Sequence, residues 1–156
     1  MKKYLYMIAA LFGIDYFCKE NIEAQKPEDF PRDMEKSHGK IRLYRNHNDG
    51  FCFGVKKEKK ELVRMVPVVF TSAAAGILTW LLCRDEGRKA DRIGFALITA
   101  GGLSNLYDRL KRGYVVDYIR FPNCRIKKIR HIIFNIADFF LFMGAALSVL
   151  YGLLQD

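Results

Sequence analysis

At 156 residues with 51% apolar content, the chain is about one domain long, which excludes a large multidomain enzyme and a disordered tail. A net charge of +9 ordinarily points to nucleic acid or an anionic membrane. The mean hydropathy of −0.04 hides a segregation, because charged residues cluster while four stretches carry almost none. Segregation favours the membrane.

The first apolar stretch, residues 4 to 18, follows Met1-Lys2-Lys3 and resembles a secretory signal. No small-x-small cleavage pattern closes it, Asp15 interrupts its end, and Asp15-Tyr16-Phe17-Cys18 places large residues where a lipid-attachment box needs small ones. It is therefore expected to stay as an anchor, extended toward Lys19 by snorkelling. A polar extramembrane region follows, residues 19 to 64. Pro27, Pro31 and the charges between them predict a loop. Residues 40 to 55 begin with alternating Ile41 and Leu43 and turn at Asn48-Asp49-Gly50, which predicts a strand or small hairpin.

The second stretch, residues 65 to 83, has 19 residues and no charge, and the fourth, residues 132 to 154, has 23 with Asp138 as its one charge. Each suffices to cross a hydrocarbon core of ~30 Å. The third, residues 93 to 110, is shorter in its apolar part and ends in Asp108 and Arg109 at the interface. Gly101 and Gly102, and likewise Gly76 beside Ala73, Ala74 and Ala75, predict close helix contacts. The expected fold is an all-α membrane protein, one integral-membrane domain over residues 1 to 156 with four transmembrane helices and a small extramembrane β element. A soluble helical bundle is the alternative.

Four spans put both termini on one side with 6 Lys and Arg residues, and leave 20 on the other side. The positive-inside tendency taken alone makes that basic side cytoplasmic.

An ionisable group inside a span costs about 2.5–3.5 kcal/mol, so Asp138 in Phe134-Asn135-Ile136-Ala137-Asp138 calls for a reason. It is expected about six residues into its helix, roughly 9 Å below the surface, with Asn135 on the same face. A packing hydrogen bond to another span is the bland reading. Asn105 and Arg109 share a face of the third span, and Asp117 follows in Gly113-Tyr114-Val115-Val116-Asp117-Tyr118-Ile119. A short connection brings the chain from there to Asp138, so both carboxylates can meet at one membrane face. At ~4 Å and an effective dielectric of 20 they repel by about 4 kcal/mol, roughly three pH units on the second proton. One then stays protonated near neutrality, and the ionised partner can deprotonate a water held between them.

The runs Gly101-Gly102-Leu103-Ser104-Asn105-Leu106-Tyr107-Asp108-Arg109, Gly113 to Ile119 and Phe134 to Asp138 resemble, in order and spacing, the signature blocks of lipoprotein signal peptidase, signal peptidase II. Asn48-Asp49-Gly50-Phe51-Cys52-Phe53 is similar to that family's Asn-x-Gly-x-x-Phe block, and Asp15 with Lys19 to its first-helix pair. The resemblance implies a four-helix aspartic endopeptidase of the bacterial inner membrane. Such an enzyme cuts prolipoproteins before their diacylglyceryl-modified cysteine, and its active site faces outward, against the charge count. Carried over, Asp117 and Asp138 are the catalytic pair. Asn48, Gly50, Asn105, Arg109 and Asn135 hold substrate or order the site, and Asp15 and Lys19 support the fold. The expected partners are the prolipoprotein and membrane lipid, with no nucleic acid, no cofactor and no metal, for a monomer. Phe51 and Cys52 stand where the family has small residues, and residues 20 to 47 match no family motif in their first half.

Cys18, Cys52, Cys83 and Cys124 lack paired spacing and read as free thiols. His38, His47 and His131 are dispersed and read as surface residues, and Ser104 lacks the closing glycine of a nucleophile elbow. The aromatics do not interleave with the basic residues as a nucleic-acid platform requires. A proton or ion pathway using Asp15, Asp117 and Asp138, and a non-enzymatic membrane scaffold, are the competing functions.

Overall fold

The computed structural model describes residues 1–50, 60–84 and 89–153. Its apolar runs form four long helices, α1 (Lys2–Glu23), α2 (Lys60–Cys83), α3 (Lys89–Lys111) and α5 (Ile136–Leu153), with a single turn α4 (Lys127–Arg130) before the last. At 1.5 Å per residue the long helices measure about 27 to 36 Å, close to the ~30 Å of a hydrocarbon core. Among the described residues, Met65–Cys83 is the one segment long and apolar enough to qualify as a membrane-crossing helix on its own composition, and Ile136–Tyr151 is a shorter apolar helix. α1 and α3 fall short because they carry Asp15, Lys19 and Asp108 within their length.

Those charges are inside. Asp15, Lys19, Asp108 and Asn135 are at most 1% exposed, whereas Phe17, Phe70 and Trp80 are 73%, 70% and 55% exposed. An interior of paired polar groups under an apolar exterior inverts the pattern of a water-soluble bundle. α3 is the central helix and packs against α1, α2 and α5. It does so through small residues: a Cβ on Gly101 would lie 2.5 Å from the Ala137 carbonyl oxygen, and one on Gly144 would lie 2.5 Å from that of Gly94. The backbones of α3 and α5 therefore touch about one turn from Asn105 and Asp138. Gly76 does not act this way, since a Cβ there meets nothing within 4 Å. It lies on a part of α2 that no neighbouring helix covers.

The β element is larger than residues 40 to 55 suggested. Four antiparallel strands, β1 (Arg32–Asp33), β2 (Arg42–Asn48), β3 (Val115–Arg120) and β4 (Ile133–Phe134), pair in the order β1-β2-β3-β4. The expected strand is β2, but it pairs backward with β1 and across the chain with β3, while residues 51 to 55 lie outside the described set. The predicted loop at Pro27 is a 3-10 turn, Pro27–Asp29. β3 is an inner strand, with Val115 to Tyr118 all buried, and Val116 and Tyr118 pack with Ile22 of α1.

The pairing of Ile119 with Phe134 and of Arg120 with Ile133 draws the start of the fourth apolar stretch into the sheet. α5 therefore begins at Ile136, and Asp138 sits in its first turn instead of six residues deep.

Candidate active site

β3 carries Asp117 and the first turn of α5 carries Asp138, and one residue, Asn135, holds both. Asn135 Nδ2 donates to Asp117 Oδ1 at 2.8 Å, and its backbone N–H donates to Asp138 Oδ2 at 3.1 Å. Asn135 Oδ1 in turn accepts the Asp138 backbone N–H at 3.0 Å. This is a reciprocal N-cap, Asn-x-x-Asp, and it explains why an asparagine precedes the helix by one residue. The two remaining carboxylate oxygens receive the other amides: Asn48 Nδ2 donates to Asp117 Oδ2 at 2.9 Å, and Asn105 Nδ2 to Asp138 Oδ1 at 3.0 Å. Thus three neutral asparagines supply one donor to each of the four oxygens, leaving further lone pairs for a water or a proton.

The other free N–H groups of that first turn are also met. Ile136 N–H donates to the Tyr118 hydroxyl at 3.4 Å and Ala137 N–H to Asp15 Oδ1 at 3.2 Å. Asp15 is buried with Lys19, 2.7 Å away, and Lys19 also reaches Asp108 at 3.1 Å, Ser104 Oγ at 3.3 Å and Asn105 Oδ1 at 2.9 Å. Asp108 accepts the Val116 N–H at 3.2 Å and pairs with Arg112. α1 thereby orients Asn105 on α3, anchors β3 and seats α5. Asp15 and Lys19 thus stand where α1, α3, β3 and α5 meet.

Asn48 folds back on itself as its Oδ1 accepts the Gly50 N–H at 3.0 Å, and Arg109 Nη2 donates to the Gly50 carbonyl at 2.9 Å. Every site residue read from the sequence except those of the 51 to 53 block, which lies outside the described residues, therefore gathers around β3, the start of α5 and the end of β2. The bland reading of Asp138 is also present, since its bond from Asn105 crosses from α3 to α5.

Ser104 belongs to the buried network, its hydroxyl donating to Asp15 at 2.6 Å and accepting from Lys19 at 3.3 Å. Asp108 and Tyr118 were missed. Asp108, expected at the interface, is instead buried between Lys19 and Arg112, and its place as an acid closing an apolar run is the signal that marks it. Tyr118 carried no signal, because its hydroxyl acquires its partners, Asp15 and the Ile136 N–H, from elements remote in sequence. His47, read as a surface residue, joins Arg45 and Tyr114 around Glu23. Cys18, Cys83 and Cys124 are free thiols.

Burial, followed by the neighbouring Asp138 charge, raises the Asp117 pKa from the ordinary carboxylate range to about 7, against the opposing pull of the Asn48 and Asn135 amides. A buried pair of carboxyl groups set this way can take a proton from a water on one side and give one on the other.

The comparisons place the chain among the aspartic peptidases. A family model described as signal peptidase (SPase) II matches residues 7–154, and the chain belongs to that family. Lipoprotein signal peptidases of Brucella ovis and Brucella abortus are 33% identical over 110 residues, covering 70% of this chain and 66% of each relative. The match thus spans just under two thirds of those relatives' length. Two solved structures, both titled as a bacterial membrane enzyme, share the fold with TM-scores of 0.79 and 0.78 at 22% identity. They cover 98% and 100% of this chain, and the matches take in 88% and 95% of theirs.

Proposed function

We propose that this protein is a four-span membrane peptidase, one domain, that removes the signal peptide from prolipoproteins by cutting before their diacylglyceryl-modified cysteine. Asp117 and Asp138 are its catalytic pair. The observation that carries this reading is the Asn135 bridge, which sets two buried carboxylates side by side and leaves acceptor positions open on both. Family membership supports the substrate class, and the apolar exterior of the helices supports the membrane setting.

In the proposed reaction the pair shares one proton. The ionised carboxylate takes a proton from a water between the two groups, the protonated one hydrogen-bonds the scissile carbonyl, and the tetrahedral intermediate collapses with proton return to the leaving amine. Asn48, Asn105 and Asn135 keep the carboxyl groups in one orientation. Arg109 fixes the Gly50 carbonyl, and with it the backbone beside Asn48 where an extended substrate would lie. The site lies at the end of the helices that carries the sheet, which we assign to the outer face of the bacterial inner membrane, with the protein acting as a monomer.

Because the diacylglyceryl group is anchored in the bilayer, substrate arrives laterally between helices. In proteoliposomes, a lipidated precursor peptide is expected to be cleaved at least about 100-fold faster than its unlipidated form, in line with the partition free energy of an acyl chain. Mass spectrometry of the products locates the cut. Equal rates for both peptides would defeat membrane delivery, and absence of any cleavage would defeat the peptidase reading.

The Asp117 pKa of about 7 sets a sign for pH dependence. A carboxyl group whose pKa rises on folding binds its proton more tightly in the native state, so its stability contribution is full below about pH 4 and is lost as pH climbs through about 7. The same proton is needed for catalysis. We expect kcat/KM to fall on the alkaline side with an apparent pKa near 7 belonging to the pair. Rate profiles between pH 5 and 9 in constant ionic strength check this, and a flat profile through pH 9 would contradict it.

A further inference from the structure

Between Asp117 and Asp138 the chain contains no acidic residue and five basic ones: Arg120, Arg125, Lys127, Lys128 and Arg130. Two of them shape the connection. Arg130 donates from Nε and Nη2 to the Cys124 carbonyl at 3.1 and 3.0 Å, and Arg120 Nε donates to the Arg130 carbonyl at 2.8 Å. The other three, Arg125, Lys127 and Lys128, are exposed and have no ion-pair or hydrogen-bond partner among the described residues. Beside them, the tip of the β1–β2 hairpin is tied on by Asn123 Nδ2, which donates to the Gly39 carbonyl at 3.1 Å, and it adds the exposed Lys36 and Lys40. Of the acids nearby, Asp33 is already paired with Arg42, and Glu35 is exposed on the hairpin.

Position gives this patch its partner. α4 ends five residues before α5 begins. Flanking the patch in the chain, Phe121 and Phe134 join Phe139 and Phe142 in a ring-to-ring cluster with centroids 5.9 to 6.3 Å apart. Phe142 is 47% exposed on the outer side of α5, and Ile126, at the head of α4, is 58% exposed among the free cations. Aromatic rings at the end of a membrane helix, topped by unpaired Lys and Arg and an aliphatic tip, match the layering of acyl chains, glycerol and phosphates at a bilayer surface.

We propose that Arg125, Lys127 and Lys128, with Lys36 and Lys40, form a docking surface for the phosphodiester headgroups of anionic phospholipids in the leaflet that bears the active site. Bound lipid pins the connection between β3 and α5, and so restrains the two elements that carry Asp117 and Asp138. The inference rests on α5 entering a bilayer, but not on peptidase activity.

The test uses the full chain in nanodiscs of phosphatidylcholine with graded phosphatidylglycerol, read by hydrogen exchange at the amides of residues 124 to 131. Phosphatidylglycerol is expected to slow exchange there, and 0.5 M salt to reverse the effect. The triple variant Arg125→Gln, Lys127→Gln, Lys128→Gln should show roughly 100-fold weaker affinity for anionic lipid by this protection, since each basic residue near such a surface contributes about fivefold. A Lys127→Arg, Lys128→Arg variant should behave as wild type. Equal protection in pure phosphatidylcholine, unchanged protection in the triple variant, or the same protection by inorganic phosphate in neutral discs would overturn the proposal. The readout is independent of cleavage, so an inactive enzyme would leave it legible.

Discussion

Asp117→Asn and Asp138→Asn are each expected to lower cleavage of a lipidated precursor by at least about 10³-fold, the scale of losing a general acid or base, while leaving the protein folded. The basis for retained folding differs at the two positions. Asn at 138 keeps an oxygen for the Asn135 N–H, so the reciprocal cap that starts α5 survives, while the bond from Asn105 is lost. Asn at 117 meets two amide donors, from Asn48 and Asn135, with one oxygen and one NH2 group. Rotating the Asn48 amide by half a turn converts the clash into a bond but releases the part-buried Gly50 N–H, a cost of about 1 kcal/mol that loss of the buried carboxylate charge offsets. The Asp117→Asn protein should melt no lower than wild type at pH 8, where the native carboxyl would otherwise be ionised in a buried site. Product analysis by mass spectrometry, with thermal melts in the same detergent, checks both halves. Turnover retained by either variant would remove that aspartate from the catalytic pair.

The second large effect belongs to Lys19. It stands between Asp15 and Asp108, all three essentially excluded from solvent, so Lys19→Met leaves Asp15 buried without a cation and Asp108 with Arg112 alone. Breaking a buried pair from one side costs about 3–5 kcal/mol, which lowers the melting temperature by roughly 10 °C in a chain of this size. Activity should fall as well, since Asn105 loses the ammonium that fixes its Oδ1 and thereby its hold on Asp138. Adding Asp15→Asn to Lys19→Met removes one uncompensated charge and is expected to restore much of the stability without restoring cleavage. If the single substitution melts within 2 °C of wild type, or if the double variant regains full turnover, the network does not act as described.

The long helices and the meeting of Asp117 with Asp138 at one place were legible in the sequence because both follow from short-range rules. An uncharged run of membrane length is a helix by backbone satisfaction alone, and an acid placed inside such a run announces a role. The sheet was not legible beyond β2. β4 has two residues, and β1 has two, so neither has enough length for alternation to show; both exist because β2 and β3 supply paired edges. That same pairing displaced the start of α5 and moved Asp138 from depth to the first turn, which no count of apolar residues could anticipate. Asp108 and Tyr118 escaped for a related reason. Their partners, Val116, Lys19, Asp15 and Ile136, come from three other elements, and a hydroxyl or carboxylate at the end of an apolar stretch reads as solvent-facing until those elements are placed around it.

Asn135 both begins α5 and spans the two carboxyl groups, so forming that helix and arming the site are a single event. During biosynthesis the aspartates stay apart until the last long helix in chain order has settled against the strand that bears Asp117. A nascent or misassembled copy in which that docking has not taken place therefore lacks the paired carboxyl groups.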